Sequence, residues 1–209
     1  RLGRPQQRAD ELLPQVLAEF QSVYPEVCVQ AVSLPNDELE RKLLGSELDM
    51  ALVSGEAENE KLEYQLIASD EVVLLAGRKT RLAQRIPTIS LNACEGEKFI
   101  LPTESLPFTR SYDELLARAG LSPFVVLRTD DSQCAKRVCA ACSLVMLCPF
   151  ITLLSDTPAM QQLAHYRLSD TSFTPLYMAY PKDMPLTPYA QTLFTMMSNR
   201  FRAMTAYRA

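Results

Sequence analysis

LLPQVLAEFQSVYPEVCVQAVSLPNDELERKLLGSELDMALV, residues 12–53, alternates between two kinds of hydrophobic spacing. Leu12, Leu13, Val16, Leu17, Phe20 and Val23 recur at steps of three and four, which predicts an amphipathic helix closed by Pro25. Val27 to Val32 is a short β-branched run and predicts a strand. Asn36 is placed to cap a second helix. On that helix Leu39, Leu43 and Leu44 face inward, Glu38 and Lys42 form an i,i+4 pair, and Gly45 marks the end. Leu48 to Val53 then reads as a buried strand. Helices and strands taking turns in this way predict a mostly parallel sheet with helices packed on it, an α/β fold.

The same rhythm continues outward. Lys61–Ile67 and Glu71–Ala76 predict two further strands, after which residues 78–97 loosen into scattered charge, a candidate crossing segment. From Lys98 the pattern restarts. Phe99–Leu101 predicts a strand, residues 109–119 a helix stopped by Gly120, Phe124–Leu127 a strand, residues 131–142 a helix, and Leu144–Leu147 a strand. A last strand, Leu176–Tyr180, precedes a helix with Thr187 as cap, Pro188 at its first position, and Ala190, Leu193, Phe194, Met197 and Phe201 on its apolar face. Two α/β units in succession predict two lobes.

The 209 residues are 47% hydrophobic, enough to bury a substantial core. The net charge is -4, the wrong sign for a chain that neutralises phosphates by itself, so nucleic acid is not its expected direct partner. No run of 18 apolar residues is present, and the first residues lack the pattern of a signal peptide, so no membrane contact and a cytoplasmic location are expected. No cofactor motif is read.

Three stretches carry a family resemblance: LLPQVLAEFQSVYPEVCVQ with LERKLLGSELDMAL, then CAACSLVMLCP at 139–149, then YPKDMPLTPYAQTLFTMM at 180–197. In this order they resemble the effector-binding domain of LysR-type transcriptional regulators. The resemblance implies two Rossmann-like lobes of the type 2 periplasmic-binding-protein architecture joined by two crossover segments. Lobe I would comprise residues 1–75 and 175–209, and lobe II residues 76–174. It also implies a small-molecule effector in the inter-lobe cleft and an antiparallel homodimer in which lobe I of one copy meets lobe II of the other. DNA would be bound only through a winged helix-turn-helix ahead of Arg1, outside this chain. A free-standing solute-binding protein would share the cleft and is the alternative.

Ligands of doubly wound sheets sit at the carboxyl ends of strands, where loops and helix N-termini converge. The expected strand ends nominate Arg4, Pro5, Gln6 and Gln7, then Leu34, Pro35 and Asn36. The second lobe adds Pro102, Thr103, Glu104 and Ser105, then Thr129 to Ser132, then Pro149 and Phe150. Where the family often carries a hydroxyl residue two positions after the first-strand Gly, this chain has Pro5, which makes Gln7 the expected polar partner. Arg4 and Arg110 could grip a carboxylate through paired N–H donors.

Four cysteines crowd residues 134–148. A zinc site would need four ligands about 2.3 Å from one ion. On a single helix Cys134 and Cys142 would stand roughly 12 Å apart along the axis, so no metal is expected. At about 100° per residue, Cys134, Val138, Ala141 and Cys142 share a face, expected to be core, with Lys136 and Arg137 opposite. The rival reading is a thiol-based redox sensor, with Cys134 in a helix first turn and Cys139 and Cys142 close together. The single histidine, His165, has no motif around it for hydrolytic chemistry, and no enzyme is expected.

Overall fold

The computed structural model describes residues 1–5, 9–55, 57–82, 88–103, 109–154, 157–171 and 173–206. Among them the elements run β1 (Leu2–Arg4), α1 (Ala9–Val23), β2 (Ala31–Ser33), α2 (Asn36–Leu44), β3 (Met50–Ser54), β4 (Leu62–Gly77), β5 (Thr88–Ile89) and β6 (Lys98–Leu101). They continue with α3 (Thr109–Arg118), β7 (Phe124–Arg128), α4 (Ser132–Ala141), β8 (Val145–Pro149), β9 (Leu163–Leu168), β10 (Phe173–Pro181) and α5 (Pro188–Ala206). The chain divides into two compact units, Arg1–Ser69 with Pro175–Ala209, and Asp70–Thr174.

In the first unit the strands lie in the order β2-β1-β3-β10-β4. β1 is parallel to both neighbours, with Leu2 opposite Ala31 on one side and Met50 on the other, and β10 is antiparallel to β3. β3 is buried throughout because α2 covers it through Leu39 and Leu43, both fully buried. α1 packs on α5, where Phe20, Leu193 and Met197 are buried and the Tyr24 hydroxyl meets Thr192 Oγ1 at 3.1 Å. Burying each such side chain contributes about 1.5–3 kcal/mol.

In the second unit β7-β6-β8 are parallel, β4 is antiparallel to β8 and β9, and β5 runs parallel to β9. One face carries α3 through Tyr112, Leu115 and Leu116 against Phe99 and Val145, and a second cluster joins α4 to Val73, Leu75 and Met146. Gly120 takes φ +62° just beyond α3, the left-handed turn that ends a helix.

Several local expectations change. β2 is shorter than the expected 27–32 strand, because its neighbour β1 has only three residues to pair with it, and all three of its residues are exposed. Asn36 does not cap α2. Pro35 holds the cap position, and the Asn36 side chain donates to the Ser54 carbonyl. Instead of the expected pair with each other, Glu38 meets Arg41 at 3.4 Å and Lys42 meets Glu47 at 2.5 Å. Val23 and Leu44 are exposed at the ends of their helices, where the core no longer reaches.

The two strands expected at 61–67 and 71–76 are one strand, β4, and the first junction between the units falls inside it. The polar Ala-Ser-Asp-Glu stretch reads as an interruption, yet Asp70 is buried and accepts the Ile151 N–H at 3.4 Å, so the strand continues. His165 sits within β9, exposed, opposite Leu75. α4 is rotated from the expected face: Ala135, Lys136 and Cys139 are buried, while Cys134, Ala141 and Cys142 are exposed. Lys136, expected on the outer face, is 1% exposed.

Candidate functional site

The parallel strands of each unit deliver their carboxyl ends to one edge. In the first unit that edge gathers Arg4 and Pro5 at the end of β1, Pro35 and Asn36 after β2, and Ser54 and Gly55 at the end of β3. One backbone and one side-chain hydrogen bond stitch it together: Leu34 N–H donates to the Arg4 carbonyl at 3.1 Å, and Asn36 Nδ2 to the Ser54 carbonyl at 2.6 Å. Arg4 is half-buried. Of the candidates named from the sequence, Gln6, Gln7, Glu104 and Ser105 lie outside the described residues.

In the second unit Pro102 and Thr103 follow β6, Thr129 follows β7, and Phe150 follows β8. The Thr103 carbonyl accepts from Thr109 Oγ1 at 2.7 Å, tying the β6 end to the start of α3. Thr129 Oγ1 accepts the Asp131 N–H at 3.1 Å, and Asp131 caps α4 by accepting from Gln133 and Cys134. Thr129 thus shapes the turn, and the helix cap is Asp131. Phe150 is half-buried and packs against the α4 side of the core. Arg110 is not gathered with this group. Its side chain is 88% exposed and its Nε donates to Glu114 at 3.0 Å.

Two acids beside this edge escaped the sequence reading. Asp70 and Glu71 are 0% and 1% exposed, next to Val72, which pairs with Pro149 at the end of β8. Glu71 Oε2 accepts from Arg167 at 3.1 Å, while its Oε1 is buried without a partner. The available signal was the adjacent pair of acids running straight into Val-Val-Leu-Leu-Ala with no turn residue between them.

The cysteines separate by burial. Cys28, Cys134 and Cys142 are exposed, Cys94, Cys139 and Cys148 buried, and all six are free thiols. The Cys139 thiol donates to the Leu144 carbonyl at 3.2 Å, and burial pushes its pKa up to about 12. Burial likewise raises Cys148. Both are held as inert thiols, the opposite of the low pKa that a thiolate sensor needs. Among the described residues no cluster of His, Cys, Asp or Glu is placed to hold a metal ion, and no helix is long and apolar enough to cross a membrane.

A cavity of about 540 Å³ opens at the opposite, amino edge of the first unit, between Phe20, Val27, Met50, Leu186 and Leu193. A smaller one of about 390 Å³ lies along α4, beside Gln133 and Arg137.

The sequence pattern of the LysR substrate binding domain matches residues 1–202. This chain belongs to that family. Among relatives by sequence, the HTH-type transcriptional regulator GltR of Bacillus subtilis is 21% identical over 97% of this chain and 67% of its own length. YybE, an uncharacterized HTH-type regulator of the same organism, is 25% identical over 62% of this chain. The chain matches only 44% of YybE's length. Among solved structures, the CcmR regulatory domain of Synechocystis PCC6803 in complex with 2-PG superposes with a TM-score of 0.81, at 22% identity and 95% coverage of each chain. The BenM effector binding domain with its effector benzoate gives 0.79, at 20% identity over 100% of this chain and 92% of its own. The QuiR effector binding domain with shikimate gives 0.74, at 15% identity over 96% and 94%. The α/β class and the type 2 periplasmic-binding-protein architecture expected from the LysR resemblance are those of this LysR domain.

Proposed function

We propose that this chain senses a small-molecule effector for a bacterial transcriptional regulator. The ligand is held at the carboxyl edges of the parallel strands, and its presence is passed to a winged helix-turn-helix outside the chain through a homodimer that pairs the first unit of one copy with the second unit of the other. The chain performs no chemistry on the ligand, and the regulator works in the cytoplasm. The observation that carries this reading is the edge geometry: in each unit three parallel strands, β2-β1-β3 and β7-β6-β8, end side by side beneath a helix start. Such edges are where doubly wound sheets hold ligands. The CcmR, QuiR and BenM domains, whose folds this chain shares, were solved with 2-PG, shikimate and benzoate.

A ligand that binds only the folded state stabilises it by about 2.7 kcal/mol at a hundred times its Kd, which raises Tm by several degrees in a domain of this size. Thermal-shift screening against small metabolites, followed by Asn36→Leu and Thr103→Ala variants of any hit, tests the reading. A ligand whose affinity ignores both edges sinks the site. Sedimentation showing a strict monomer at high concentration sinks the dimer.

A further inference from the structure

We infer that the effector presents hydrogen-bond donors, as an amino or hydroxyl group, to Asn36 at the edge of the first unit, instead of being gripped there through a carboxylate. The inference rests on the ligand-sensing role proposed above. Asn36 Nδ2 donates to the Ser54 carbonyl at 2.6 Å. A carbonyl can only accept, so the amide has one orientation and Oδ1 is the atom left over. That oxygen is buried and without a partner. An acceptor in this condition is left desolvated and unpaired, and an arriving donor removes that cost. An arriving carboxylate adds acceptors to an acceptor.

The surroundings point the same way. Pro5 after β1 and Pro35 after β2 have no N–H, so two amides that could hold an anion are missing from this edge. Asp37 and Glu38 occupy the first turn of α2 and answer its dipole with their own negative charge. The second unit repeats the shortage, with Pro102 directly after β6 and Pro149 as the last residue of β8. Arg110, which could have gripped a carboxylate, faces solvent beside Glu114. Proline placement and one orphan acceptor thus select for donors.

The test titrates the ¹⁵N-labelled chain with methylammonium chloride, methanol and sodium acetate, against sodium chloride as control. The Asn36 side-chain amide and the Gly55 backbone amide report. Saturable shifts at both with methylammonium or methanol, and none with acetate, are expected. Asn36→Leu should weaken the donor response at Gly55 by about tenfold or more, the size of one hydrogen bond to a buried acceptor. Acetate shifting these amides while the donors stay silent overturns the ligand class and leaves the edge standing as a binding site. Silence of every probe at both carboxyl edges overturns the ligand class and the sensing role together. Should Asn36→Leu fail to fold, the comparison of methylammonium with acetate on the unaltered chain still decides.

Discussion

Gly77 closes β4 against the end of α4 so tightly that a Cβ built on it would stand 2.5 Å from the Cys139 carbonyl oxygen and nearer still to that of Cys142. The atoms in the way are backbone, not the ends of mobile side chains. Helix and strand therefore meet main chain to main chain, and the Gly77 N–H donates to the Leu144 carbonyl at 2.9 Å on the same short path. This contact, and not the sulfur atoms, sets how the cysteine-rich helix lies on its sheet.

Gly77→Ala should accordingly lose about 3 kcal/mol, at the upper end of overpacking costs, since neither carbonyl can step aside without moving α4. Gly3→Ala makes a useful contrast. Its Cβ would stand 2.7 Å from Leu48 Cδ1 and nearer to Leu39 Cδ2, both tips of side chains that can turn. About 1–2 kcal/mol is expected there. Urea unfolding of the two variants checks the order, and a Gly77→Ala protein as stable as Gly3→Ala would mean that α4 is free to shift.

Thiol labelling of the folded protein should modify Cys28, Cys134 and Cys142 readily and leave Cys94, Cys139 and Cys148 until denaturant is added. Mass spectrometry of peptides from a partly labelled sample distinguishes them. Labelling of Cys139 at the rate of Cys134 would show that α4 opens in the native state.

The raised thiols also fix a pH dependence. An unfolded thiol ionises near 9, whereas folded Cys139 keeps its proton up to about 12, chiefly because it is buried. Between those values the folded state binds more protons, so its stability is full below pH 9 and falls as pH rises through the window. The slope is at most about 1.4 kcal/mol per pH unit for each such thiol, and Cys148 acts in the same direction. Denaturant titrations from pH 8 to pH 10.5 should show the fall. Cys139→Ala should make it shallower, and an unchanged slope in that variant would assign it to other groups.

Arg167 is 48% exposed, but the Glu71 carboxylate it meets at 3.1 Å is 2% exposed. Arg167→Met should cost about 2 kcal/mol, less than the 3–5 of a fully buried pair because solvent reaches one side. Most of that is the penalty of a buried charge left alone. Adding Glu71→Gln to Arg167→Met should therefore recover part of the loss, which a double-mutant cycle reads directly. Additive losses would show the pair to be uncoupled.

Local spacing was a good guide where a residue's environment depends on its near neighbours. The Leu39 and Leu43 stripe, the Gly45 and Gly120 stops, and the Thr187-Pro188 start of α5 follow from sequence alone, and each element stands within a few residues of its expected place. Strand lengths fared less well. β2 is limited by the three residues of β1, which lies elsewhere in the chain, and β4 passes through a polar stretch because Ile151 is there to meet Asp70.

What the amino-acid order determined by itself is the alternation of helix and strand, the parallel strand pairs that follow from it, and the prolines that deprive the strand ends of amide donors; these depend on backbone chemistry and periodicities a few residues long. Only the tertiary structure decided that Asn36 would reach for Ser54 and leave its oxygen unmet, that Lys136 would be buried while Cys134 faces outward, and that Arg110 would pair with Glu114. Such choices are settled by which donors and surfaces come within about 3 Å of one another, and that is known only once distant segments have packed.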